Sequence, residues 1–368
     1  MKYLLSALAM VATIFAAPIS AQDAGSARTS RTIHAGHLIR DAASGMSGPA
    51  TIVVRDGRIV SIENGLQPAA AGSELVDLSD KVVMPGLIDA HVHLTSDPSG
   101  DYWKEAVETN EWAMMVGAKN ARLTALAGFT TVRDVGSAPL TGFALRRGTA
   151  EGMIAGPRIL SSGPALSIIG GHGDVSGFRP EVNHVLDAGN TCTGAVECAA
   201  RVREASKRGA DLIKITATGG VLSQQARGLG QHFTNEEMHA IADTAHSLGL
   251  KVAAHAHGSA GIEAAANAGI DSIEHCTFAD RAAVAAMKAH GTVCVPTLMA
   301  FQGVSEGLGQ GIYTPAVEAK IRQTMEAIGK APRAMRAQGV EIIFGTDAGV
   351  FAHGRNAEEF ALMIDKIG

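Results

Sequence analysis

The chain is 368 residues long, 46% hydrophobic and 18% charged, which excludes a disordered or fibrous protein and leaves room for one large core plus a smaller domain. A formal net charge of -5 with no basic run excludes an electrostatic surface for nucleic acid or anionic lipid, so small-molecule chemistry is the default. Aromatic residues make up only 4%, against 43 glycines, which disfavours a carbohydrate-stacking platform and suits many tight turns.

The chain opens on Lys2, an apolar stretch from Leu4 to Ala17 and the small-residue ending "PISA". This is the charge, core and cleavage-site pattern of a secretory signal, so residues 1–21 are expected to be removed after Ala21. Pro18 and Ser20 cut the run short of the roughly 20 residues that a membrane anchor needs. The expectation is an exported protein, periplasmic or secreted, with no membrane contact after signal cleavage. Such a compartment permits disulfides: Cys192 and Cys198 in "CTGAVEC" are close enough to close a small ring, whereas Cys276 and Cys294 in strand-like runs read as buried thiols.

Residues 22–82 alternate apolar and polar positions, most clearly at Thr51–Val54 and Arg58–Ile62 around the turn Asp56-Gly57, and predict a small antiparallel sheet. Residues 83–368 change texture to short β-branched runs, each followed by an Ala-rich helical stretch, which predicts an α/β domain. Eight such runs end near His93, Asp134, Ser161, Thr216, His255, His275, Pro296 and Asp347, the number and spacing of a (β/α)8 TIM barrel. In such a barrel the chemistry gathers at the C-terminal strand ends. His91, His93, His255, His257 and His275 of the 14 histidines fall there, with His172 and His353 in following loops. In "GLIDAHVHL", positions 91 and 93 share one face of a strand, so both imidazoles point at one spot and suggest a metal. His184, His232, His239, His246 and His290 have no such pattern and read as ordinary surface or core residues.

The residues "GLIDAHVHL", Lys214 in "IKITATGG", His255 in "AAHAHG", His275 in "IEHC" and Asp347 in "GTDAG" resemble the metal-dependent amidohydrolase superfamily over almost the whole mature chain. With the loop "GGHGD" around His172, the chain is most similar to the exported Xaa-Pro dipeptidase branch, which includes ochratoxin-degrading amidohydrolases. The resemblance implies two Zn2+ per chain, one held by His91 and His93 and the other by His255 and His275, bridged by a carboxylated Lys214. Such an ion pair polarises the scissile carbonyl and activates water. Asp347 is then a metal ligand and the catalytic acid/base, taking the proton of water and returning it to the leaving amine. It further implies that His172 and His257 contact the α-carboxylate of a small-molecule or dipeptide substrate, with Arg227 a weaker candidate.

On this reading the enzyme releases an amino acid with a free α-carboxylate from Xaa-Pro dipeptides or from N-acyl amino acids such as ochratoxin A. The competing reading is an imidazolonepropionase-like hydrolase of cyclic amides; a deaminase is disfavoured by Lys214, and a non-catalytic scaffold by the retained ligands. Asp89 is expected to support a ligand from behind. Glu274 is expected to point toward the helices, and Asp97, Arg133 and Asp134 are expected to form structural ion pairs. Family members add sandwich strands after the barrel, so these strands are expected to be missing beyond Gly368. A homo-oligomer is compatible with the composition.

Overall fold

The computed structural model describes residues 30–98, 102–223 and 228–368. The expected signal peptide and Arg227 therefore lie outside the described residues. The chain divides into two compact units, one ending at Pro85 and the other running from Gly86 to Gly368.

In the first unit, β1 (Ser30–Ile39), β2 (Met46–Ser47), β3 (Ala50–Arg55) and β4 (Arg58–Asn64) pair antiparallel in the order β2-β1-β3-β4. Asp56 and Gly57 both take positive φ (49° and 74°), the left-handed geometry that a two-residue hairpin requires. β5 (Glu74–Val83) departs from the antiparallel expectation: it lies parallel to β1, from Arg31 opposite Glu74 to Leu38 opposite Val83. The stretch from Gly65 to Ser73 carries the chain back before β5 begins, which is what parallel pairing needs. Leu38, Ala50 and Ile52 form the small core, flanked by Ile33, Val54, Ile62 and Val83.

The second unit holds two parallel sheets. β6 (Leu87–Val92), β7 (Phe129–Asp134) and β8 (Arg158–Ser161) form one; β9 (Leu212–Thr216), β10 (Lys251–Ala256), β11 (Ser272–His275) and β12 (Val293–Val295) form the other, each in chain order. Backbone bonds join them on one side, where Asp211 N donates to Ser161 O (2.9 Å) and Leu166 N to Lys214 O (2.8 Å). On the other side residues 341–348 run between β12 and β6: Ile343 N donates to Cys294 O (2.8 Å), Ala90 N to Phe344 O (3.1 Å) and His93 N to Ala348 O (2.7 Å). The run expected as an eighth strand is thus an irregular segment with isolated bridges at Ile342 and Ala348. The reason is local: the Asp89 carboxylate captures Thr346 N (3.1 Å), and Asp347 turns the chain at φ 64°.

Helices α1 (Asn110–Leu126), α2 (Thr141–Ala150), α3 (Pro180–Leu186), α4 (Ala195–Arg208), α5 (Asn235–Ser247), α6 (Ser259–Asn267), α7 (Arg281–His290), α8 (Leu298–Ser305), α9 (Pro315–Ala327), α10 (Lys330–Ala337) and α11 (Glu358–Lys366) complete the unit. β9 and β11 are buried at every position and β10 at all but Lys251, so these strands read as continuous rather than alternating, as helix-covered parallel strands do. Ile213, Ile215, Val252 and Ile273 pack against Met238 and Ile241 of α5, Ile262 of α6 and Met287 of α7. α5 begins with a capping box: Glu237 N donates to Thr234 Oγ1 (3.2 Å) and Thr234 N to Glu237 Oε2 (2.8 Å). Cys192 and Cys198 are joined at the start of α4, as expected. Cys276 and Cys294 are joined too, which corrects the buried-thiol expectation; adjacent β11 and β12 bring their Cα atoms to 6.4 Å, a proximity that sequence spacing does not reveal.

Candidate metal centre

The expected ligands meet at the C-terminal strand ends. His91 ends near the tip of β6, Lys214 lies on β9, His255 on β10, His275 closes β11 and Asp347 lies in the segment that follows β12 and α10. All of them, with His93, His172 and His257, line one cavity of about 230 Å³. Two of them occupy the left-handed backbone region, His275 at φ 74° and Asp347 at φ 64°. Such strain in non-glycine residues costs on the order of 1–3 kcal/mol each and collects where function holds it in place.

Most of the rings are fixed by a partner on Nδ1. His91 Nδ1 meets Glu274 Oε2 at 2.8 Å, His93 Nδ1 meets Gly136 O at 2.8 Å, and Thr297 Oγ1, Thr277 Oγ1 and Ser223 Oγ hold His275, His257 and His172, each at 2.7 Å. Each of these rings therefore turns Nε2 away from its anchor, the arrangement that orients an imidazole toward a cation. His255 is the exception: its Nδ1 faces His275 Nε2 at 2.8 Å while its Nε2 lies 3.3 Å from Gly219 O. Close approach also needs a missing side chain: a Cβ on Gly220 would stand 2.2 Å from His172 Cε1.

The donor set suits a cation. The ligand atoms of His91, His275 and Asp347 form one group within 4.8 Å, and those of His255, His257 and His275 form another. His275 belongs to both, and His257, expected only as a substrate contact, stands among the imidazoles. Asp347 Oδ1 is buried without a hydrogen-bond partner, 3.3 Å from His91 Nε2 and 3.2 Å from His93 Nε2, so a buried acceptor is left for an electropositive ligand. Burial opposes the charge on Asp347, yet the facing His91 and His93 rings hold its carboxyl well below the usual range. Burial dominates at the imidazoles: His255 and His275 lie well below the ordinary histidine value, His172 at about 4 and His257 at about 3. Neutral rings are the form that binds metal. At His93 burial is outweighed by Asp347, and its value rises.

Lys214 is 3% exposed, and burial lowers its ammonium to about 8 despite Glu274 and Asp347. Among the described residues no carboxylate lies within 4 Å of Nζ; its contact is His91 Nε2 at 3.5 Å.

Glu274 corrects the expectation that it faces the helices. It is fully buried and turned inward, accepting from Arg133 Nη2 (2.7 Å) and Ser272 Oγ (2.6 Å) as well as meeting His91. The parity count failed because β11 leaves regular extended geometry at His275, whose positive φ brings its ring to the same cavity that Glu274 supports. Asp89 does brace the site from behind: its carboxylate accepts from His91 N (3.1 Å), Thr346 Oγ1 (2.7 Å) and Asn356 Nδ2 (2.8 Å). Arg133 pairs with Glu274 and Asp97 with Lys119 at 2.5 Å, as expected. Asp134 does not form an ion pair among the described residues; it accepts from Leu94 N and Ser161 Oγ, and burial raises it to about 6. His353 lies away from the cavity wall and ties Thr124 to His93 O.

Sequence reasoning missed Ser223, Thr277 and Thr297 as ring anchors. Thr277 and Thr297 stand just beyond strand ends, a position that could have flagged them. Ser223 lies in a loop after β9, where no local signal exists.

Helix-covered parallel strands whose ends bring imidazoles, a lysine and a strained carboxylate into one buried cavity define a candidate metal-dependent enzyme. Residues 82–367 match the Amidohydrolase family, and the chain belongs to that family. It is 33% identical over 287 residues to the ochratoxinase of Aspergillus niger, covering 72% of this chain and 58% of that protein, so it spans less than two thirds of that relative's length. Among solved structures it is similar to a Xaa-Pro dipeptidase with methionine bound in the active site, at TM-score 0.84 and 35% identity, covering 92% of this chain and 84% of the other. It is also similar to a prolidase complexed with N-methylphosphonate-L-proline, at TM-score 0.80 and 27% identity, covering 92% and 84%. No helix among the described residues is long and apolar enough to cross a membrane.

Proposed function

We propose that this chain is a zinc-dependent amide hydrolase that releases an amino acid with a free α-carboxylate from Xaa-Pro dipeptides or N-acyl amino acids. The observation that carries the reading is the convergence of His91, His93, Lys214, His255, His275 and Asp347 on one buried cavity. The names of the similar proteins, an ochratoxinase and two enzymes acting at proline, support the same class. The strand pairings, together with the bridging segment 341–348, support a (β/α)8 barrel spanning 83–368, with 22–82 as the sandwich segment.

In this reading His91, His93, His255, His275 and Asp347, together with a carboxylated Lys214, would hold two cations. When bound, the cations polarise the scissile carbonyl and make water nucleophilic at neutral pH. The chain's own residues do the rest. Asp347 takes a proton from the attacking water and passes it to the leaving nitrogen. Glu274 and Thr297 keep His91 and His275 in register through Nδ1. His172 and His257 receive the substrate carboxylate if Ser223 and Thr277 donate to Nδ1, which leaves Nε2–H free to donate. The opposite tautomer would make His257 a ligand instead.

The test is a metal assay joined to a substrate panel. About two zinc ions per chain, activity lost on chelation and restored by zinc, and a roughly 10 to 100-fold lower kcat/KM for substrates whose carboxylate is masked as an amide are expected. Turnover of cyclic imides alone, or undiminished activity without metal, refutes it.

A further inference from the structure

Left-handed backbone gathers at one corner of the cavity. Six non-glycine residues among the described ones have positive φ, and four of them meet here: His275 (74°), Cys276 (55°), Thr297 (47°) and Asp347 (64°). Such conformations are costly and persist only where the surroundings over-determine them. For His275 part of the restraint is the contact of Nδ1 with Thr297 Oγ1 at 2.7 Å. That contact joins the end of β11 to the turn after β12, so it is only as firm as the spacing between the two.

The Cys276–Cys294 bond fixes that spacing. Cys276 follows His275 directly, and Cys294 lies on β12 just ahead of Val295, Pro296 and Thr297. The path from His275 through Cys276, Cys294 and Pro296 to Thr297 is thereby closed into a short loop, covalent except for one hydrogen bond. Cys294 also grips the segment that leads to Asp347: its N donates to Glu341 O (2.9 Å), and its O accepts from Ile343 N (2.8 Å). One disulfide therefore sits between the two elements that deliver His275 and Asp347, whose ligand atoms form a group with His91. Both cysteines are fully buried, so thiols in solution do not reach the bond while the fold is closed. Cys192 and Cys198 belong to the same apolar cluster but adjoin no candidate ligand in the chain.

We infer that Cys276 and Cys294 are positioning residues for the metal centre: their bond holds His275 in the left-handed turn that directs Nε2 into the cavity, so the chain binds zinc more tightly with this bond closed than open. This rests on the reading of His275 as a zinc ligand. Closing the bond is a two-electron oxidation, in which two thiols pass two electrons and two protons to an external disulfide that leaves as two thiols.

The experiment measures zinc affinity, by competition with a chromophoric chelator, in the folded full chain and in three double variants. Cys276→Ala/Cys294→Ala should lose roughly 10 to 100-fold, as when a group that orients a ligand is removed. Cys276→Gly/Cys294→Ala should lose less, because glycine takes φ 55° without strain. Cys192→Ala/Cys198→Ala should bind zinc like the parent while unfolding at lower denaturant. Should the Cys276 variants not fold, the Cys192→Ala/Cys198→Ala chain, reduced by a phosphine while unfolded, then refolded and freed of reductant, supplies the open-bond state. Equal zinc affinity with the Cys276–Cys294 bond closed and open overturns the inference. So does an alanine pair that loses no more than the glycine pair, an equal loss in the Cys192→Ala/Cys198→Ala chain, or alkylation that finds Cys276 and Cys294 free in the unreduced parent. Absence of zinc binding by the oxidised parent overturns the metal reading itself, and the inference with it.

Discussion

Glu359 on α11 is fully buried, and its carboxyl accepts from Leu298 N (2.9 Å) and Met299 N (2.7 Å) at the start of α8. That helix brings Ala300, Phe301 and Val304 to the cavity and follows Thr297, which anchors His275. Burial pushes the carboxyl up from 4.5 to about 8 in spite of the two N–H donors, so at neutral pH it is protonated. The folded value is raised, which sets the sign. Below pH 4.5 both folded and unfolded chains carry the neutral acid and its contribution is complete; between 4.5 and about 8 the unfolded chain ionises first and stability falls; above that the loss is constant. At about 1.36 kcal/mol per pH unit, the whole window corresponds to roughly 5 kcal/mol. Glu359→Gln does not titrate, but it turns an amide NH2 toward one of the two N–H groups, which costs about 1–3 kcal/mol. The variant should therefore be less stable than the parent near pH 4.5 and as stable or more stable at pH 8.5. Urea denaturation of both proteins at the two pH values measures this, and the comparison cancels every other titrating group. A stability difference that stays constant from pH 4.5 to 8.5 would refute the protonated-carboxyl argument.

Asp347→Asn keeps an oxygen for a cation but cannot carry a proton, so metal content should hold while kcat falls by about 100-fold or more; joint loss of metal and activity would contradict the proton-transfer role. Glu274→Gln weakens the His91 anchor and leaves Arg133 without its full partner, so zinc affinity should fall about 10 to 100-fold in a competition titration; unchanged affinity would make Glu274 a purely structural partner of Arg133. Gly220→Ala sets a methyl 2.2 Å from the His172 ring, so KM for free-carboxylate substrates should rise more than kcat falls; equal effects on the carboxylate and its masked amide would remove His172 from carboxylate binding.

Much of the candidate site was legible because its signals are local. Two histidines two apart on a strand share a face whatever surrounds them, and His255, His275 and Asp347 each close a strand-like run, while Lys214 stands two residues before the end of another. The turn at Asp56-Gly57 is likewise decided within a few residues. What required the tertiary structure depends on partners far apart in the chain or on backbone that leaves its regular period. Glu274 meets His91 across 183 residues, and its inward direction follows from one left-handed residue, His275, that no alternation count registers. The parallel pairing of β5, the Cys276–Cys294 bond, the irregular segment 341–348 and the apolar residues that line the cavity beside the imidazoles are of the same kind. Period and residue type set which side chains can reach a strand end; only the closure of the sheets, with Asp89 and Glu274 holding the backbone and rings from behind, decided which of them meet.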